Sequence, residues 1–230
     1  MILMNISMKR YAIIVAGGSG TRFGGNTPKQ FLPLNGTPVL MHTIRKFASC
    51  TDAVVVVLPQ REQSYWAKLC VQHHFSVAHH VVSGGNSRFE SVKNGLQSLS
   101  LQPLDLVAVH DGVRPMVSEA LIARTFAMAE QCGAAIPAIA VTDSVRQLGK
   151  SGASIALDRA MLRAVQTPQT FRADALLRAY DVAYAPFFTD DASVYEHAGG
   201  TVALVEGEPG NIKITHPIDI VVAEHLMKLQ

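Results

Sequence analysis

The sequence predicts a three-layer α/β sandwich: a doubly wound, mostly parallel sheet with helices on both faces. Short β-branched apolar runs alternate with segments of helical spacing along nearly the whole chain. Turns rich in glycine or ending in a carboxylate follow several of those runs, where an open α/β sheet gathers its ligands. No repeat, low-complexity tract or linker divides the 230 residues, so a single domain over residues 1–230 is expected.

The run from Ala12 to Val15 is too short for a helix and reads as a buried strand. It opens into a loop holding Gly17, Gly18, Gly20, Gly24 and Gly25, with Arg22 inside it and Lys29 just beyond. Backbone without Cβ atoms, flanked by two cations, suits close approach to an anion; an ordinary glycine-rich connection is the other reading. It is not a Walker A loop, which would end in Gly-Lys-Ser/Thr, nor a dinucleotide fingerprint, since Phe23 stands where a third glycine is needed. Residues 38–48 follow as a helix behind a first-turn proline, 54–58 as a buried strand, and 60–74 as a helix. Val81 and Val82 lead into a second glycine turn at 84–91, with a helix from Arg88 to about Ser98. The apolar run 106–109 finishes in His110-Asp111-Gly112, so a carboxylate stands at a strand end. Ser118 caps a helix that Gly133 closes. A strand is expected over 134–141, then a projecting hairpin arm at about 142–163 turning near Gly149. The chain re-enters at 164–171. Helices at 172–184 and 191–198, strands at 201–205 and 212–214, and a closing helix at 217–229 complete the expectation.

Composition narrows the function classes. At 48% hydrophobic and 17% charged the chain has material for one sizeable core, and a net charge of +2 from 20 basic and 18 acidic residues speaks against a nucleic-acid surface. No apolar run approaches membrane-spanning length. The opening MILMNISMKR lacks the order of a signal peptide, and Cys50, Cys70 and Cys132 have no metal-ligand spacing. The expected location is the cytoplasm. His73, His74, His79 and His80 cluster without acidic or cysteine companions and read as surface histidines around a turn.

On this architecture the loop after Val15, the turn at 84–91 and Asp111 share one sheet edge. A nucleoside triphosphate satisfies all three: phosphates in the first loop, a base against the second turn, and a hard cation such as Mg²⁺ on Asp111. An Asp before Gly is also a common turn former.

The segments AGGSGTRFG, PKQF, HDGVRP, TPQTF, TDDAS and NIKIT, in this order, resemble the cytidylyltransferases of the non-mevalonate isoprenoid pathway. The resemblance implies the nucleotide-diphospho-sugar transferase version of the fold, CMP transfer from CTP to 2-C-methyl-D-erythritol 4-phosphate assisted by Mg²⁺, and a homodimer joined by the arm. By position in the matching motifs, Arg22, Lys29 and Lys213 would be catalytic and Asp111 would hold the metal. Ala16, Gly17, Gly18, Gly85, Asn86 and Ser91 would contact CTP. Asp143, Ser144, Arg159, Thr167 and Thr189 would bind the second substrate, Ser144 and Arg159 reaching across from a partner chain. The chain departs from the family pattern at Ser144, where Thr is usual, at Asn86, where an acidic residue often sits, and at Glu90, where Asp or Gln is common. Other readings of the same residues are an edge lysine for Lys213, helix capping for Thr189 and Asp190, a buried strand threonine for Thr167, and a turn-positioning role for Arg114. The rival activities are ribitol 5-phosphate cytidylyltransfer and non-catalytic nucleotide binding.

Overall fold

The computed structural model describes residues 8–17, 27–150 and 152–229. Its centre is an eight-stranded sheet. In chain order β1 (Arg10–Val15), β4 (Ala53–Leu58), β5 (His80–Ser83) and β6 (Leu106–Asp111) run parallel, with β1 at the centre between β4 and β6. Beyond β6 comes β11 (Gln169–Arg172), antiparallel to both its neighbours, then β7 (Ala134–Ala140), with β12 (Ala203–Glu206) parallel to β7. A short β10 (Arg163–Val165) lies end to end with β11 along β7, and the register slips by two residues across Gln166, Thr167 and Pro168. Gln166 N–H still bonds Pro137 O in the β10 register, so the slip falls at Thr167 and Pro168, and Gln166 and Thr167 both line the site.

The alternation of β1 and its neighbours builds the three layers. Ala12, Ile14, Val54, Val56 and Ala108 pack on one face against Leu40, Met41, Ile44 and Phe47 of α1 (Val39–Ala48), Trp66 of α2 (Gln60–Gln72) and Phe126 of α4 (Glu119–Cys132). Ile13, Val55, Val57, Val107 and Val109 pack on the other against Phe89, Val92 and Leu96 of α3 (Arg88–Gln97), Leu176 of α5 (Ala173–Ala179) and Val194 of α6 (Asp191–His197). Gly95 allows α3 to lie close to the sheet: a Cβ there would stand 2.8 Å from Ile13 Cγ2. The helix starts form as their residues direct. Leu121 N donates to Ser118 Oγ, and Asp190 and Ser193 make a reciprocal capping box at α6.

Three details differ from the sequence reading. Residues 212–214 form no strand: Ile214 donates to Val113 O and is buried with Leu34 and Val39 beneath α7 (Pro217–Met227), over the loops and away from the sheet edge. The helix after Arg172 stops at Ala179, because Tyr180 turns inward to stack on Phe89 and to donate to Asp191. A small hairpin of β2 (Pro33–Leu34) and β3 (Thr37–Pro38) turns on Asn35 and Gly36, both at positive φ, the Asn-Gly pattern such turns favour. The projecting hairpin is present as β8 (Val145–Leu148) paired with β9 (Ser154–Leu157), a two-stranded sheet apart from the main one.

Candidate active site

The strand ends of β1, β5 and β6 open on one cleft with two adjoining compartments. Ala16, Gly17, Lys29, Gly85, Asn86 and Ser91 line the first; Arg114, Gln166, Thr167, Gln169, Thr189 and Asp190 line the second. Asp111 and Lys213 border both. The sequence-expected residues are thus brought together in two groups, with Asp111 and Lys213 at the junction. Arg22 and Gly18 lie outside the described residues. Asp143, Ser144 and Arg159 are exposed on the arm and line neither compartment; Arg159 donates to Thr142 O at the base of the arm.

Hydrogen bonding decides what each lining group can still offer. Ala16 N–H donates to Val57 O, and its carbonyl accepts from Gln30 Nε2 at 2.7 Å. The same nitrogen donates to Glu62 Oε2 at 2.8 Å, and burial raises that carboxyl's pKa against the opposing pull of Gln30 and Arg61. In the second turn, Gly85 N–H donates to Ser91 Oγ and Asn86 N–H to Glu90 Oε2 at 2.6 Å. These two N–H groups are therefore committed within the turn.

Asp111 is held by cations on three sides: Lys213 Nζ at 2.9 Å, Arg114 Nε at 3.3 Å and Arg88 Nε at 3.9 Å. Burial favours its protonated form, but Arg88, Lys213 and Arg114 outweigh burial and hold the carboxyl well below the usual carboxylate range. Arg114 also donates to Asn211 O, tying the Asp111 turn to the segment carrying Lys213. Asn211 is buried and donates to Thr167 O at 2.8 Å, so three sequence-distant segments interlock behind the junction.

The family model for "2-C-methyl-D-erythritol 4-phosphate cytidylyltransferase" matches residues 11–229. The chain belongs to this family. A cytidylyltransferase of that name from Porphyromonas gingivalis is 51% identical over 223 residues, 96% of this chain and 99% of the relative, and one from Bacteroides thetaiotaomicron is 48% identical over 96% of this chain and all of the relative. The crystal structure of the Thermus thermophilus cytidylyltransferase superposes with a TM-score of 0.76 at 33% identity, covering 96% of this chain and 99% of that one. The chain is accordingly an enzyme, a nucleotidyltransferase.

Several residues of this cytidylyltransferase's cleft escape sequence reasoning. Gln30 follows the expected Lys29 but earns no signal, since its two acceptors lie 14 and 32 residues away. His110 is likewise visible only as part of its turn. It is fully buried, donates from Nε2 to Arg114 O, and accepts at Nδ1 from the Thr167 hydroxyl, which in turn accepts from Asp111 N–H. Burial lowers its pKa to about 3. In the cluster first noticed in the sequence, His79 Nε2 accepts from Trp66 Nε1 and its other nitrogen faces Val77 O, so that ring is a packing element.

These two shifted groups predict the acid side of the stability curve. His110 stays neutral when folded but takes up a proton when unfolded, so the stability associated with it is complete above about pH 6.5 and is lost progressively as pH falls toward 3. Asp111 adds a loss that starts only below the usual carboxylate range near pH 4, because its folded pKa is depressed. Urea midpoints measured between pH 7 and 5 are expected to fall for the native chain and to fall less for His110→Gln; equal slopes would contradict the assignment.

Proposed function

We propose that this enzyme transfers the cytidylyl group of CTP to 2-C-methyl-D-erythritol 4-phosphate, releasing pyrophosphate and forming 4-diphosphocytidyl-2-C-methyl-D-erythritol for isoprenoid synthesis. The family match over residues 11–229 carries this reading. The committed N–H groups around the nucleotide compartment support it, because the remaining carbonyls complement an exocyclic amine such as that of cytosine.

An oxygen of the alcohol's phosphate attacks the α-phosphorus of CTP. A new P–O bond forms as the bond to the β-phosphate oxygen breaks, and its electron pair leaves with pyrophosphate. The attacking monoester is already nucleophilic, so no protein nucleophile is required; the barrier is repulsion between two polyanions. Lys29 and, in the loop outside the described residues, Arg22 and Gly18 would cradle the triphosphate. Lys213, half exposed at the junction, would neutralise charge where the two phosphates meet. Thr167 and Thr189 would receive the second substrate.

Asp111 would be the protein's ligand to Mg²⁺, a reading supported by its place in both compartments and by the cations that hold its carboxyl below the usual range. Among the described residues no cluster of three or more His, Cys, Asp or Glu could hold a metal, so the other ligands would be phosphate oxygens and water. Such an ion would neutralise phosphate charge when bound. Lys213 would then exchange Asp111 for phosphate.

We read residues 1–230 as a single domain whose arm pairs two copies. Leu148, Ile155 and Met161 on the arm are 77%, 62% and 82% exposed, an apolar surface suited to a second copy, which would bring Ser144 and Arg159 into the partner's cleft. The expected result in sedimentation is a dimer, with Leu148→Asp/Ile155→Asp monomeric and its KM for the alcohol phosphate raised about tenfold, the scale of one lost charged hydrogen bond. A monomeric native chain would overturn the arm's role. No helix among the described residues is long and apolar enough to cross a membrane, and the three cysteines form no disulfide; the proposed setting is the cytoplasm, without nucleic-acid partners.

The test is pyrophosphate release by purified protein with Mg²⁺ and CTP, comparing methylerythritol and ribitol phosphates. Preference for ribitol 5-phosphate, or no release with either, would replace this reading.

A further inference from the structure

Among the described residues, three line both compartments of the cleft: Asp111, Lys213 and Arg88. The motifs singled out the first two. Arg88 is the first residue of α3, directly after the turn that borders the nucleotide compartment, and its side chain is 27% exposed.

Its guanidinium is fixed from behind. Nη1 and Nη2 donate to the two carboxylate oxygens of Asp191 at 2.8 and 2.6 Å, and Tyr180 Oη donates to the same carboxylate at 2.6 Å. Asp191 is fully buried and opens α6, immediately after Thr189 and Asp190, which line the second compartment. Such a paired fork holds an arginine in one orientation, with little freedom left to lose on meeting a ligand. The edge bearing Nε is turned the other way, with Nε 3.9 Å from Asp111 Oδ1, beyond hydrogen-bonding distance.

A guanidinium kept only to neutralise Asp191 would have no need to border the cleft. Here three cations, Arg88, Arg114 and Lys213, face Asp111, while Arg88 alone is also joined to the helix start of the second compartment. We propose that Arg88 is a further catalytic residue of this enzyme: an arginine clamped by Asp191 and Tyr180 at the junction of the compartments, whose Nε edge contacts phosphate oxygens as the two substrates meet. The inference rests on the phosphoryl-transfer reading given above. Its second consequence is geometric. The Arg88–Asp191 pair fixes the nucleotide turn relative to the second-substrate wall, so the distance between the reacting phosphates depends on it.

Removing one partner of a buried ion pair leaves an unpaired charge and risks the fold, so the decisive variant replaces both: Arg88→Gln/Asp191→Asn keeps hydrogen-bonding shape without charge. With thermal unfolding close to wild type, this double variant is expected to lower kcat about 30-fold per folded molecule and to raise KM for both substrates, as for a lost electrostatic stabiliser. Unchanged kcat and KM in the folded double variant would reduce Arg88 to a structural role and overturn the proposal. Should the double variant fail to fold, Arg88→Lys takes its place: it keeps the charge without the fork, and a kcat equal to wild type would likewise overturn it. Calorimetric CTP binding separates this failure from that of the proposed function. If wild type turns over neither alcohol phosphate, about tenfold weaker CTP binding by the double variant still supports a phosphate contact, and equal binding removes it.

Discussion

Asp111→Asn is expected to lower kcat/KM for CTP about 1,000-fold, a transition-state loss of about 4 kcal/mol. Among the described residues its side chain is the carboxylate that lines both compartments, it is held deprotonated by three surrounding cations, and an amide can neither bind a hard cation nor balance those charges. The fold is expected to survive, because Arg88 keeps Asp191, Arg114 keeps Asn211 O, and Lys213 is already half exposed. Unfolding curves and initial rates measured on the same preparation separate the two effects. Activity within tenfold of wild type in a folded variant would take Asp111 out of the mechanism.

Lys29→Ala carries the second large effect. Lys29 starts a single turn of 3₁₀ helix whose next residues are buried: Gln30 bridges Ala16 and Glu62, and Phe31 stacks on Trp66. That anchorage holds the lysine in the lining of the first compartment. Loss of its charge is expected to lower kcat about 100-fold or more, the range for a removed electrostatic stabiliser, with unfolding unchanged. Arg22→Ala is expected to match it. A normal kcat in either variant would remove that residue from the phosphate cradle.

The strand-to-helix alternation was legible because each element carries its own periodicity. β1, β4 and β6 carry short apolar runs rich in valine and isoleucine, α4 has a serine cap and a closing glycine, and Asp111 ends a buried strand. The second turn, at 84–91, was legible for the same local reason. Residues 212–214 misled because a short apolar alternation looks alike whether it joins a sheet or covers a loop; burial with Leu34 and Val39 chose the latter. Thr167 showed as a substrate candidate, while its bond to His110, 57 residues earlier, could not show.

By itself the sequence determined most of the strands and helices of the central layers and which side chains stand at their ends, since these follow from propensity and spacing within a few residues. The tertiary structure alone decided what those side chains meet. Arg88 and Asp191 are 103 positions apart and His110 and Thr167 are 57 apart; their meeting depends on the strand order of the sheet and on the register slip between β10 and β11. Such contacts leave no periodic trace in the chain, because they are made by packing and hydrogen-bond satisfaction across the whole core. The place of Asp111 at a strand end could be read from the sequence, but Arg88 emerged only when the two compartments were brought together.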